Sequence, residues 1–131
     1  MLVREHMSTP AVTIQTGTDY MTALRLMQEN ALHHLPVVDA AGEVVGIAAE
    51  RDLLLAATRY LQARVEVGEV MHRGVVTARP DMPVAEAADL MVSNRIGGLP
   101  VLDEDRRLLG IITESDVFRA LVEGLRREKL T

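Results

Sequence analysis

The sequence repeats itself once, at a constant offset of 64 residues and without a gap. Self-similarity at a fixed spacing indicates two copies of one structural unit. Because about 60 residues bury too little surface to be stable alone, the copies are expected to pack together. The matched positions are Met7/Met71, Val12-Thr13/Val76-Thr77, Ala23/Ala87, Leu26-Met27/Leu90-Met91, Asn30/Asn94, Leu35-Pro36-Val37/Leu99-Pro100-Val101, Asp39/Asp103, Gly46-Ile47/Gly110-Ile111, Glu50/Glu114 and Asp52/Asp116.

Each copy has the pattern of a small α+β unit, with copy one at 3–64 and copy two at 65–127. Apolar residues at helical spacing predict one central helix per copy, and short β-branched runs around polar turns predict a hairpin after it. The central helix is predicted to start at Thr18 or Asp19 in copy one. In copy two it is predicted to start at the N-cap Asp81, with Pro83 in the first turn. The other predicted elements are short entry helices (3–7; 67–71), extended segments (11–14; 75–78), hairpins (35–48; 99–112) and closing helices (50–64; 114–127).

Composition excludes several classes of function. The net charge of −5 argues against nucleic acid or an anionic membrane as partner, and 2% aromatic residues leave little for stacking bases. Without cysteine there is no disulfide or thiolate chemistry, and no apolar run is long enough to span a membrane. We expect a cytoplasmic protein, since the N-terminus also lacks a signal-peptide pattern.

Catalytic and metal sites are not predicted. No nucleophile–base arrangement or phosphate loop with a lysine is present, so we expect no enzyme activity. The four histidines (His6, His33, His34 and His72) lack the spacing of a metal site, and no metal is expected.

The segment Gly110-Ile111-Ile112-Thr113-Glu114-Ser115-Asp116 carries the strongest chemical signal. It predicts a strand that ends at a hydroxyl and a helix with a carboxylate in its first turn. A helix N-terminus attracts anions, and a carboxylate can accept from two sugar hydroxyls, so a phosphate and a ribose fit here. Thr113 and Asp116 also have the spacing of a capping box, and both interpretations stay open.

The two copies together resemble the cystathionine β-synthase (CBS) domain. The resemblance rests on Leu-Pro-Val-Val/Leu-Asp followed by Gly-Ile-x-x-Glu-x-Asp, and extends from about Val3 to Leu125. It implies two tandem CBS repeats forming a stand-alone pair (a Bateman module), each a three-stranded sheet with two main helices, related by a pseudo-two-fold axis. It also implies a regulatory module that binds an adenosyl ligand between the repeats. AMP, ADP or ATP is the expected ligand, and S-adenosylmethionine or NAD is less expected. No cofactor is expected to be required.

The family's ligand motif is complete in the second copy only. The resemblance places phosphate on Thr113, ribose on Asp116, adenine beside Val75 and Thr77, and apolar surface from Leu99 and Pro100 around the base. Gly98 and Ser115 complete this predicted site. In the first copy Ala49 replaces the hydroxyl, so the corresponding site, with Ala11, Thr13, Pro36 and Asp52, is expected to be weak or vacant.

The phosphate would need a cation in an acidic protein. His34 is the preferred candidate, ahead of Arg95 and Arg51, because family members often bring this position toward the phosphates.

The closing helices carry more apolar residues than one buried face requires, as in 53–57, which predicts a homodimer. The alternative function is a ligand-free dimeric scaffold that regulates an unknown partner protein.

Overall fold

The computed structural model describes residues 1–59 and 65–130 and has a mixed α+β fold, as predicted. The elements are α1 (Val3–His6), β1 (Ile14–Gln15), α2 (Tyr20–Asn30), β2 (His34–Val38), β3 (Val44–Ala49), α3 (Glu50–Arg59), α4 (Val67–Val70), β4 (His72–Arg73), α5 (Val84–Asn94), β5 (Gly98–Leu102), β6 (Leu108–Thr113) and α6 (Glu114–Leu130).

The helix boundaries follow the sequence signals with one clear error. Asp19 is the N-cap of α2, where its carboxylate accepts the N–H of Met21 at 3.1 Å. Asp81 was predicted to cap α5, but the N-cap is Pro83, and Asp81 instead pairs with Arg79 at 3.4 Å. The predicted end of α3 at residue 64 lies outside the described residues, and α6 continues past 127 to Leu130.

The chain forms two compact units, and they do not coincide with the sequence repeats. We call Val12–Val75 the Asp52 unit, and Met1–Ala11 together with Val76–Thr131 the Asp116 unit. The first eleven residues therefore fold with the second repeat, and residues 65–75 fold with the first. The repeat boundaries at 3–64 and 65–127 stay a prediction about the sequence.

The Asp52 unit contains a four-stranded sheet in the order β1-β2-β3-β4. β1 lies parallel to β2, and the other neighbours are antiparallel. Three strands were predicted here, and the fourth, β4, is a two-residue strand that comes from the start of the second repeat. The buried core of this unit includes Tyr20, Met27, Leu35, Val37 and Leu53.

The Asp116 unit has the β5–β6 hairpin, flanked on each side by a single bridge. Ala78 pairs in parallel with Val101, and Ser8 pairs in antiparallel fashion with Ile111. The Asp52 unit has the same strand pairing. At the offset of 64 residues, the Ser8–Ile111 bridge corresponds to the pairing of His72 with Ile47. The core includes Val3, Ala87, Met91, Leu99 and Ile112.

Gly110 allows the crossing of the N-terminal segment over β6. The backbones of Ser8 and Ile111 exchange two hydrogen bonds, of 2.8 and 3.0 Å. A Cβ on Gly110 would overlap the carbonyl oxygen of Ser8 and would lie 2.8 Å from Thr9 Cγ2. The repeated Gly46 has the same role, since its Cβ would lie 2.7 Å from the His72 carbonyl oxygen. The glycine of each Gly-Ile pair is therefore required by packing.

Replacing Gly110 with alanine should lower the free energy of unfolding by about 1–3 kcal/mol, because an overpacked site must shift the Ser8 backbone. The measurement is urea denaturation followed by circular dichroism. Gly17→Ala is the matched control: no atom lies within 4 Å of its Cβ, so it should be neutral or stabilising by up to about 1 kcal/mol. Equal stability of the two variants would refute the packing role of Gly110.

Candidate binding site at the start of α6

The junction of β6 and α6 brings the two main predicted site residues together. β6 ends at Thr113, the residue before α6, and Asp116 is the third residue of that helix. Gly98 pairs with Thr113 across the hairpin, and the N–H of Glu114 donates to the carbonyl oxygen of Gly97 at 3.0 Å. The hairpin thus fixes where α6 begins.

Asp116 is buried at this junction, with 2% of its surface exposed. Its Oδ2 accepts a hydrogen bond from the backbone N–H of Thr113 at 2.9 Å and another from the Thr113 hydroxyl at 3.2 Å. The first of these is one half of a capping box. The capping interpretation of this pair is therefore correct for the chain by itself, and it places a carboxylate and a hydroxyl side by side.

The other oxygen of Asp116 has two partners that the sequence analysis missed. Oδ1 accepts from the Ser8 hydroxyl at 3.3 Å and forms a short ion pair with the Arg119 guanidinium. Arg119 could have been found, because residues three apart on a helix are neighbours. Ser8 could not, because its position depends on the crossing of a segment 108 residues away in sequence.

The remaining predicted residues of the Asp116 unit differ in how deeply they are buried. Leu99 and Pro100 are buried in β5, and Leu99 belongs to the core cluster. Ser115 is exposed in the first turn of α6, while Ala11 and Thr77 are half-buried. Contacts of these residues with a purine stay a prediction.

The Asp52 unit holds the other predicted residues. Val75, Thr13, Pro36, His34 and Asp52 all belong to it, so the phosphate role of His34 and the adenine role of Val75 stay predictions. Arg51 belongs to it as well, whereas Arg95 follows α5 in the Asp116 unit.

The Asp52 unit lacks the polar cluster found around Asp116. Asp52 is exposed, and its carboxylate makes no hydrogen bond within residues 1–59 and 65–130. At the repeat offset, Ala49 replaces Thr113, His72 replaces Ser8 and Leu55 replaces Arg119. The two carboxylates therefore have different surroundings, and the weak or vacant site in the first copy stays a prediction.

The junction around Asp116 is suited to a ligand with vicinal hydroxyls and an anionic group. A carboxylate can accept from two neighbouring hydroxyls, as in a ribose. The positive end of the α6 dipole and the Thr113 hydroxyl favour a nearby phosphate.

The family model for the CBS domain matches residues 3–59 and 67–123. The chain belongs to the CBS domain family. A CBS domain-containing protein of Dictyostelium discoideum is 38% identical over 95% of this chain and 94% of its own length. The family prediction made from the repeated motifs is thereby confirmed.

Solved structures of CBS domain pairs have the same fold. The CBS pair of protein MJ0100, in complex with 5′-methylthioadenosine and S-adenosylmethionine, is 34% identical, with a TM-score of 0.85 over 95% of this chain and 98% of its own. CBSX2 in complex with AMP is 28% identical, with a TM-score of 0.78 over 93% and 96% of the two chains.

Other relatives are named as enzymes but are much longer. The L-aspartate semialdehyde sulfurtransferase of Methanocaldococcus jannaschii is 36% identical over 90% of this chain, which spans only 23% of that protein. The homoserine O-acetyltransferase of Methanohalobium evestigatum is matched over 22% of its length. In each case this chain matches only a part of the longer protein. None of the described helices is long and apolar enough to cross a membrane.

Removing the Thr113 hydroxyl should destabilise the protein in the absence of any ligand. Thr113→Val keeps the side-chain volume but loses the hydrogen bond to Asp116, which should cost about 1 kcal/mol in urea denaturation. Thr22→Val on the exposed face of α2 is the control and should change stability by less than about 0.5 kcal/mol. Equal effects at both positions would mean that the Thr113 hydroxyl does not support the junction.

Proposed function

We propose that the protein is a regulatory module that binds an adenosyl ligand at the start of α6 in the Asp116 unit. The observation that carries the proposal is the buried Asp116 carboxylate beside the Thr113 hydroxyl at a helix N-terminus. Support comes from two CBS pairs of similar structure, one in complex with 5′-methylthioadenosine and S-adenosylmethionine and one with AMP. The expected ligands remain AMP, ADP or ATP, and the location between the repeats stays a prediction.

In this proposal Asp116 accepts the ribose hydroxyls, and Thr113 with the first turn of α6 receives the phosphate. Hydrogen bonds that involve a charged group contribute about 1.5–3 kcal/mol each, so the ribose contact supplies much of the selectivity for a nucleoside. The ligand then regulates a partner protein by binding one conformation of the module more tightly than another. A ligand with equal affinity for both conformations would change nothing.

The second candidate is a scaffold that needs no ligand. The surroundings of Asp52 favour it, because one of the two copies has lost the hydroxyl and leaves its carboxylate exposed. The intact cluster around Asp116 favours the ligand-binding function, and we therefore rank the scaffold second.

A thermal-shift panel separates the two functions. The ligands are AMP, ADP, ATP, NAD, S-adenosylmethionine and 5′-methylthioadenosine, with GMP as the control for the base. A ligand at 100 times its dissociation constant adds about 2.7 kcal/mol to the stability of the folded state. We expect a clear rise in Tm with at least one adenosyl ligand and none with GMP, whereas no shift with any of them would favour the scaffold.

Asp116→Ala should weaken the binding of the stabilising ligand by about 1.5–3 kcal/mol, which is tenfold to more than a hundredfold in Kd. Isothermal titration calorimetry measures it. Asp52→Ala, at the equivalent position of the repeat, is the matched control and should have a smaller effect. If Asp52→Ala weakened binding more than Asp116→Ala, the ligand would occupy the other unit.

We also propose that the protein is a homodimer that associates through α5 and α6. Val92 is 78% exposed and Phe118 is 63% exposed, and further exposed apolar side chains follow on α6. A groove of about 380 Å³ lies between the two helices and is lined by Met91, Ile96 and Val117. Because the groove and the protruding side chains share one face, two copies related by a two-fold axis can fill each other's grooves.

Phe118→Glu should shift the protein from dimer to monomer, because an interface that buries an unpaired charge is strongly destabilised. Sedimentation velocity at several concentrations gives the oligomeric state. Met21→Glu, at an exposed apolar position on α2, is the control and should remain a dimer. A wild-type protein that sediments as a monomer at all concentrations would contradict the proposal.

A further inference from the structure

The Asp116 carboxylate accepts four hydrogen bonds, and all four donors belong to the Asp116 unit itself. Oδ2 accepts twice from Thr113, and Oδ1 accepts from Ser8 and from Arg119. A carboxylate offers about four lone-pair sites, so the carboxylate is fully used. A ribose that binds Asp116 must therefore replace at least one of these donors.

Arg119 is the donor that can leave most easily. Its side chain is 67% exposed, whereas the Thr113 N–H is fixed by the hairpin and the helix start. A long, exposed side chain can exchange one partner for another by rotating about its own bonds, without a change in the backbone. Ser8 is fixed more firmly, because its backbone pairs with Ile111.

The charge of Asp116 restricts where the guanidinium can go. With 2% of its surface exposed, Asp116 depends on nearby partners for its stability as an anion. If Arg119 moved into water, two neutral ribose hydroxyls would have to replace a cation. A phosphate on the same ligand would provide a second anion close by, and a guanidinium between the two anions would interact favourably with both.

We propose that Arg119 is a specificity-determining residue that makes the Asp116 site select anionic adenosyl ligands over neutral ones. It releases Oδ1 to the ribose and pairs with the phosphate of the same ligand. A neutral nucleoside requires the same release but offers no anion in return. The inference rests on the proposed adenosyl function and adds the chemical class of the ligand to it.

The Asp52 unit provides an internal contrast. Leu55, half exposed, occupies the position equivalent to Arg119, so this position offers no guanidinium to Asp52. Selection by charge is therefore a property of the Asp116 site alone and should not depend on Asp52.

The test compares AMP with adenosine, which differ only in the phosphate. Isothermal titration calorimetry on the full chain gives the ratio of the adenosine Kd to the AMP Kd. For Arg119→Gln we expect this ratio to fall at least tenfold, with weaker AMP binding and equal or tighter adenosine binding. Arg119→Lys keeps the charge and should retain most of the ratio. Arg126→Gln, at an exposed position on the same helix, is the control and should leave the ratio unchanged.

The outcomes are distinct. If Arg119→Gln and Arg119→Lys weaken both ligands equally, Arg119 only supports Asp116, and the inference is overturned while the proposed function stands. If wild-type protein binds AMP and adenosine equally well, the inference is also overturned. If wild-type protein binds neither ligand nor any other adenosyl compound of the panel, both the inference and the proposed function fail. Should Arg119→Gln fail to fold, as judged by Tm, the Arg119→Lys ratio and the wild-type ratio still decide.

Discussion

The candidate site depends on the hydrogen bonds and the ion pair that the buried Asp116 carboxylate makes. Among residues 1–58 and 65–128, whose side-chain burial the structure describes, Asp116 is the only charged side chain that is buried. A buried charge is tolerated only when it is hydrogen-bonded or paired, and Asp116 is both. Its partners are Thr113 at the end of β6, Ser8 on the crossing segment and Arg119 on α6. One side chain thus joins three separate parts of the Asp116 unit.

The same contacts stabilise the fold and prepare the site. The bond from the Thr113 N–H to Asp116 caps α6, and it also fixes the orientation of the carboxylate to which we assign the ribose contact. The capping and binding interpretations of this pair are therefore compatible, since a cap fixes the geometry that a ligand needs. The Asp52 unit has alanine, histidine and leucine at the positions of the hydroxyl, the serine and the arginine, so Asp52 has none of these three partners.

Much of the fold could be predicted because the duplication gave every element twice. The hairpins, the cap at Asp19 and the start of α6 follow from local signals. The exchange of residues 1–11 and 65–75 between the repeats could not be predicted, because it depends on tertiary packing across Gly110 and Gly46. Ser8 was missed for that reason. Asp81 was misjudged because Pro83 also suits a helix start, and the helix begins after it.

The most direct test of ribose recognition by Asp116 removes one hydroxyl from the ligand and the carboxylate from the protein in the same experiment. Calorimetry with AMP and 2′-deoxy-AMP on wild-type protein and on Asp116→Ala completes a double-mutant cycle. We expect wild-type protein to bind AMP at least tenfold more tightly than 2′-deoxy-AMP, and Asp116→Ala to bind the two with equal, weaker affinity. Equal affinities in wild-type protein, or a preference that survives the loss of Asp116, would contradict the role assigned to this carboxylate.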